Sequence, residues 1–201
     1  MDDVRKKPLK VALTGGIGSG KSYVCQRLKA RGIDVYDCDA GAKRLMRSSV
    51  RLRQSLQQLV GEDVYNQTAD GWRLNKPMLA TFLLASEQNA QAVDDIVHPA
   101  VADDFLRSGI DWLESAIFFD SGFNQRVRVD RVVCVTAPLE VRVRRVMSRD
   151  GISREKTLEW IGRQLPQDEV ERRSDFVVVN DGHVDVDRQL DEILHLLNHK
   201  Q

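Results

Sequence analysis

Eight consecutive residues, Gly15-Gly16-Ile17-Gly18-Ser19-Gly20-Lys21-Ser22, carry the densest chemical signal in this sequence. They fit G-x-x-x-x-G-K-[ST], the pattern of a loop that wraps phosphate groups. Glycines let successive backbone N–H groups turn toward phosphate oxygens with no Cβ in the way. A helix starting at Gly20 adds the positive end of its dipole. Lys21 brings a point charge to the β- and γ-phosphates, and the Ser22 hydroxyl is a ligand for Mg²⁺. The alternative is a glycine-rich turn without function. Context speaks against it, because a strand-like apolar run precedes the motif and a helical pattern follows. Binding of a nucleoside triphosphate is the expectation.

Other residues narrow the phosphate chemistry. A GTPase needs a guanine-reading N-K-x-D, and the sole Asn-Lys pair, Asn75-Lys76, runs into Pro77-Met78. A motor-type ATPase is expected to have an apolar strand ending in Asp then Glu. Ala116 to Phe119 and Asp120 supply the strand and the Asp, but Ser121 follows. Asp120 is a candidate to reach Mg²⁺ through water, or a carboxylate that merely ends a strand. Asp37-Cys38-Asp39 stands at the carboxyl end of the second strand-like run, where open α/β sheets bind ligands. Alternation puts Asp37 and Asp39 on one side. A carboxylate near a γ-phosphate can take the proton of an acceptor hydroxyl. The competing role, above all for Asp39, is to cap a helix over residues 40–47.

Arg142, Arg145 and Arg149 recur at helical spacing on one face, opposite an apolar stripe. Arg142, Arg144, Arg172 and Arg173 are read as solvated surface. The Asp150-Gly151 turn, then Ser153 capping a short helix stopped by Pro166, has the form of a basic flap. Such a flap closes over ATP and stabilises charge on the transferring group.

The elements that must position these groups alternate in period. Short apolar runs at residues 10–14, 33–36, 115–119, 131–135 and 176–179 read as buried strands separated by helical patterns. That order implies an α/β chain with a five-stranded parallel sheet and helices on both faces. Residues 50–112 read as helical throughout, an insertion in a core formed by residues 1–49 and 113–201, with the flap at about 149–167. His98-Pro99 is expected to break a helix.

The 201 residues are 42% hydrophobic, enough for a core, and 30 basic residues balance 30 acidic ones. Zero net charge argues against a dedicated nucleic-acid binder. No apolar run approaches the ~20 residues of a membrane span, and no signal peptide is visible. Cys25, Cys38 and Cys134 form no C-x-x-C pair, so neither disulfides nor zinc are suggested. A cytoplasmic protein is expected.

Taken together, L-T-G-G-I-G-S-G-K-S, D-C-D-A, H-P, R-x-x-x-R-D-G-I-S-R-E and D-F-V-V-V-N-D-G resemble, in order and spacing, the bacterial dephospho-coenzyme A kinases. The resemblance spans about Val11 to Leu197. It implies a P-loop NTPase of nucleoside-monophosphate-kinase type, with a helical acceptor-binding domain and a lid. The reaction implied moves the γ-phosphate of ATP to the ribose 3′-hydroxyl of dephospho-CoA, the last step of coenzyme A synthesis, with Mg²⁺. By resemblance Asp39 is the general base. Lys21 and Arg145 act on the transferring phosphate, with Arg145 and Arg149 at the lid hinge. Gly16, Ile17, Gly18, Ser19, Gly20, Lys21, Ser22 and Tyr23 line the ATP phosphates, while Asn180, Asp181 and Gly182 border its adenine. His98 lies near the acceptor, or only at a helix start.

Three positions depart from the family: Tyr23 replaces a small hydroxylated residue, Cys38 a usual Ala, and Asp120 stands where the third strand usually ends in Glu. A kinase of another small hydroxyl acceptor, such as a nucleoside or a shikimate-like acid, remains an alternative. So does a nucleotide-binding switch without catalysis. No nucleic acid or membrane partner is expected, and the enzyme is read as a monomer or weak homo-oligomer.

Overall fold

The structure, a computed structural model, describes residues 9–199. The first elements are β1 (Val11–Thr14), α1 (Lys21–Lys29), β2 (Val35–Asp37), α2 (Cys38–Ser48), α3 (Val50–Val60), β3 (Tyr65–Thr68) and β4 (Gly71–Leu74). There follow α4 (Lys76–Ala85), α5 (Glu87–Ser108), β5 (Trp112–Glu114), α6 (Phe123–Arg126) and β6 (Arg131–Thr136). The chain closes with α7 (Leu139–Asp150), α8 (Arg154–Gly162), α9 (Gln167–Arg172), β7 (Phe176–Val179) and α10 (Val186–His199).

Two compact units result: the chain up to Tyr36 together with Ile110 onward, and Asp37–Gly109. In the first, a parallel sheet runs in the order β2-β5-β1-β6-β7 with helices on both faces. All of β1 and Val132 to Val135 of β6 are buried, as strands covered on both faces must be. Val24 and Leu28 of α1 meet Val11, Leu13, Val133, Val135 and Val178 of the sheet, and Val186, Leu190, Ile193 and Leu197 of α10 join them. Each such side chain contributes about 1.5–3 kcal/mol by leaving water. Polar contacts add to the fit of the two helices. Asp187 of α10 receives Arg27 at 2.6 and 2.8 Å and Arg31 at 2.8 Å, and Asp191 receives Arg31 at 2.8 Å. The Arg27 hydrogen bond in particular holds the Asp187 carboxyl below its ordinary range.

The third strand is displaced from its expected place. β5 is Trp112–Glu114, and the apolar run at residues 115–119 turns instead. Phe118 is buried there with its ring 5.2 Å from Phe119 and 6.4 Å from Phe123, so the hydrophobicity of this run fills a turn.

The second unit begins at Asp37 and so takes in α2, which the sequence pattern assigns to the core. Helix α5 packs against α2, α3 and α4. Its buried face is Val93, Val97, Val101 and Phe105, every fourth residue. That face continues through Pro99, and the helix runs unbroken from Glu87 to Ser108. The expected break at His98-Pro99 is absent because apolar packing on both sides outweighs the one hydrogen bond a proline forgoes. The unit is also not helical throughout. Tyr65–Thr68 and Gly71–Leu74 pair antiparallel, Thr68 opposite Gly71, around Ala69 and Asp70. Gly71 takes φ +111°, a conformation that favours glycine.

Candidate active site

The loop between β1 and α1 lies at the carboxyl end of the central strand, and its glycines are fixed by what surrounds them. At Gly15, φ +138°, an added Cβ would stand 2.2 Å from the Val135 carbonyl of β6. At Gly20, φ +96°, it would stand 2.0 Å from Asn180 Nδ2. Both positions combine a left-handed backbone with a close neighbour, so only glycine fits.

Lys21 opens α1. Its Nζ donates to the Gly15 carbonyl at 2.9 Å and lies 3.7 Å from Glu114 Oε1. The side chain is 11% exposed, so it is a largely buried group rather than an open loop charge. Burial lowers its pKa, Glu114 opposes that shift, and Arg142 and Arg149 add to the lowering. Ser22 and Tyr23 follow on the exposed side of the first turn.

Glu114 carries no local signal of its own, because the most apolar run begins just after it, at residues 115–119. It ends β5 opposite Leu13 of β1, beside the phosphate loop. Asp120, expected at that strand end, instead accepts the Leu165 N–H at 2.8 Å, within the turn that Phe118 anchors. The carboxylate that ends the strand is therefore Glu114, not Asp120.

Helix α7 brings two arginines onto the loop. Arg145 donates to the carbonyls of Gly18 at 3.4 Å and Ser19 at 3.2 Å, and to Asn180 Oδ1 at 3.4 Å. Asn180, buried just past β7, donates to the Ser19 carbonyl at 2.9 Å. Arg145 and Asn180 thus brace the same segment of the loop. Arg142 is buried and donates from Nε to the Ile17 carbonyl at 2.9 Å, which corrects its reading as solvated surface. Arg144 is exposed, as expected. Arg149, in the last turn, donates twice to the Asp150 carboxylate at 2.7 and 2.9 Å, and this hydrogen bonding to Asp150 raises its pKa.

Gly151 ends α7 at φ +65°, and Ser153 caps α8 by accepting the Lys156 N–H at 3.2 Å. Pro166 does not stop that helix, which ends at Gly162; it precedes α9 instead. Between them Gln164 accepts the Ile17 N–H at 2.7 Å. No sequence signal pointed to Gln164. In the loop after β7, Asp181 accepts the N–H groups of His183 and Val184 at 2.8 and 2.9 Å, and Gly182 turns at φ +93°.

The remaining candidates belong to the second unit. Asp37 caps α2, its carboxylate accepting the Ala40 N–H at 2.8 Å. The helix starts at Cys38, two residues before the expected position, so Asp39 lies in the first turn and is not the cap. The strand-like alternation of Asp37 and Asp39 ends there too. Asp39 is exposed and pairs with Lys43 one turn on. His98 is mostly buried in α5, with Nε2 3.6 Å from Asp94 Oδ1.

No cluster of three or more His, Cys, Asp or Glu suited to a metal occurs among the described residues. The oxygen donors beside the loop, the exposed Ser22 hydroxyl and the Glu114 carboxylate, do suit Mg²⁺. That ion keeps water and phosphate oxygens and takes only one or two protein ligands.

Because Arg145 touches the loop and Arg144 faces away, Arg145→Ala is expected to lower phosphoryl transfer about tenfold to a hundredfold. Arg144→Ala should change it less than about twofold. Steady-state kinetics of both variants check this, and equal small losses would reduce Arg145 to surface.

Known proteins resemble this chain over most of its length. A family model described as dephospho-CoA kinase matches residues 9–185. The dephospho-CoA kinase of Bacteroides fragilis is 39% identical over 199 residues, covering 96% of this chain and 94% of the relative. The crystal structure of TT1252 from Thermus thermophilus aligns with a TM-score of 0.77 and 32% identity, covering 96% of this chain and 99% of that one. A shikimate kinase from Acinetobacter baumannii, at 13% identity and TM-score 0.55, shares the fold over 98% of this chain and 96% of its own.

Proposed function

This chain belongs to the dephospho-CoA kinase family, and from that membership we propose how its residues move the γ-phosphate of ATP to the ribose 3′-hydroxyl of dephospho-CoA, the last step of coenzyme A synthesis. The observation that carries the reading is the glycine loop with Lys21 Nζ and the Glu114 carboxylate at its mouth.

The loop amides and Lys21 hold the β- and γ-phosphates. Ser22 and Glu114 would hold Mg²⁺, which when bound neutralises charge on the phosphates. Little covalent chemistry is asked of the protein in such a transfer, so positioning and electrostatics carry most of the rate. Arg145 fixes the loop through the Gly18 and Ser19 carbonyls and adds positive charge beside it. Arg149 and residues up to about 167 form the lid, hinged at Gly151. Asp39 takes the proton of the acceptor hydroxyl, and His98 contacts the acceptor. Asn180 and Gly182 border the adenine.

Three free cysteines among the described residues, and ATP as donor, fit a cytoplasmic enzyme. No described helix is long and apolar enough to cross a membrane. We read the enzyme as a monomer or weak homo-oligomer.

The test is a steady-state assay with ATP and Mg²⁺ against dephospho-CoA, adenosine and shikimate. Turnover is expected with dephospho-CoA at a kcat/KM of about 10⁴ M⁻¹s⁻¹ or above, and far less with the others. Preference for either small acceptor would overturn the substrate assignment. Binding of ATP without transfer to any acceptor would favour a switch.

A further inference from the structure

Among the described residues Arg142 is the most deeply buried charged residue, 5% exposed. Three observations define its surroundings. Its Nε donates to the Ile17 carbonyl at 2.9 Å. Its Nη2 stands where a Cβ on Gly16 would meet it at 2.3 Å, and its own backbone carbonyl is 2.7 Å from a Cβ position on Gly18. The guanidinium and its helix turn therefore lie directly against Gly16 to Gly18, in the middle of the phosphate loop.

No carboxylate pairs with this guanidinium among the described residues. A neutral oxygen shares these surroundings: Gln167 Oε1, buried without a hydrogen-bond partner, is 3.3 Å from the same Cβ position on Gly16. Gln167 Nε2 donates to Cys134 Sγ at 3.3 Å, and its amide carries no charge to offset the guanidinium. Burial lowers the Arg142 pKa, yet guanidinium basicity is high enough that the group stays charged at neutral pH.

An isolated buried charge is strongly unfavourable unless another charge offsets it. A strut for the Ile17 carbonyl needs only an N–H donor, which a neutral side chain could supply. The loop that Arg142 touches is the one whose amides gather polyphosphate oxygens. We propose that Arg142 is a positioning residue for nucleotide binding, whose Nε fixes the Ile17 peptide while its guanidinium serves as the buried counter-charge of the ATP polyphosphate. This rests on the kinase reading above. It adds a residue that contributes to affinity for nucleoside di- and triphosphates through the loop.

Calorimetric titration with ATP and ADP, in the absence of any acceptor, separates the two roles. R142Q keeps an N–H donor for Ile17 and loses the charge, whereas R142K keeps the charge. Interaction across a short, partly desolvated distance predicts that R142Q binds ATP roughly tenfold to a hundredfold more weakly. R142K should stay within about threefold of the wild type. In the kinase assay KM for ATP should rise more than kcat at saturating ATP falls, which a purely structural defect would not produce. Wild-type affinity in a folded R142Q would overturn the proposal and leave Arg142 a strut.

Should R142Q fail to fold, the wild-type protein still answers. The Arg142 Nε–H resonance, assigned by its loss in R142K, should shift on adding ATP and stay in place with adenosine. An unmoved resonance at saturating ATP would equally overturn the proposal. Failure of the wild type to bind ATP at all is a different result, since it removes the kinase reading itself and the proposal with it.

Discussion

Asp39→Asn is expected to lower kcat by about 10²–10⁴-fold while leaving the fold and ATP affinity near their native values. The amide keeps the size and hydrogen-bonding reach of the carboxylate but cannot take a proton from the acceptor hydroxyl. Asp37, not Asp39, caps α2, so the substitution leaves the helix start intact. What Asp39 does contribute locally, a first-turn negative charge and an exposed pair with Lys43, adds little to stability because solvent screens both. A large kinetic loss therefore cannot be a folding defect in disguise. Asp37→Asn is the control. Asn caps about as well as Asp, so that variant should fold normally and lose far less activity. The decisive measurements are kcat, the ATP dissociation constant and the melting temperature for both variants. Near-native kcat in Asp39→Asn would sink the base assignment.

Lys21→Ala is expected to reduce turnover by about 10³-fold or more. Here the structural cost is not negligible, because Nζ donates to the Gly15 carbonyl and the side chain is largely buried. Losing that hydrogen bond destabilises by about 1 kcal/mol, which a small domain tolerates. The melting temperature should fall by a few degrees at most, while transfer nearly vanishes. ATP affinity is expected to fall as well, since the ammonium charge serves ground state and transition state alike. A folded Lys21→Ala protein with native turnover would remove the phosphate loop from the mechanism altogether.

The parts of the fold and site that could be read from the sequence are those set by local pattern. The glycine loop, β1, β6, β7 and the helical stripes of α1, α7 and α10 follow from periodicity and from glycines that no other residue can replace. Elements whose hydrophobicity serves a different neighbour do not show their structure in local pattern. The run at residues 115–119 is as apolar as a strand, but Phe118 packs into a turn, so the strand-end carboxylate is Glu114 rather than Asp120. Pro99 looked like a break because a proline's local preference is visible, whereas the apolar face of α5 that overrides it acts through tertiary packing. The β3–β4 hairpin lacks apolar alternation, since Asn66, Gln67, Trp72 and Arg73 are all exposed. Its one local signal was Asp70-Gly71. Arg142 and Gln164 mark the limit of sequence pattern. Helical spacing placed Arg142 on the right face, but only the fold shows that this face meets the loop, and nothing local distinguishes Gln164.

The clasp between α1 and α10 bears on how the enzyme is made. The phosphate loop emerges early in synthesis, yet what holds it is encoded far downstream. Glu114, Arg142, Arg145 and Asn180 must all be translated first, and Arg27 and Arg31 find Asp187 and Asp191 only in the last helix. Such long-range pairings form late and slowly. A nascent chain paused before β7 therefore exposes the glycine loop without Asn180 to brace Ser19 and without α10 to cover α1. Bracing of the loop at Ser19 and burial of the inner face of α1 are therefore completed only after the last helix has been made.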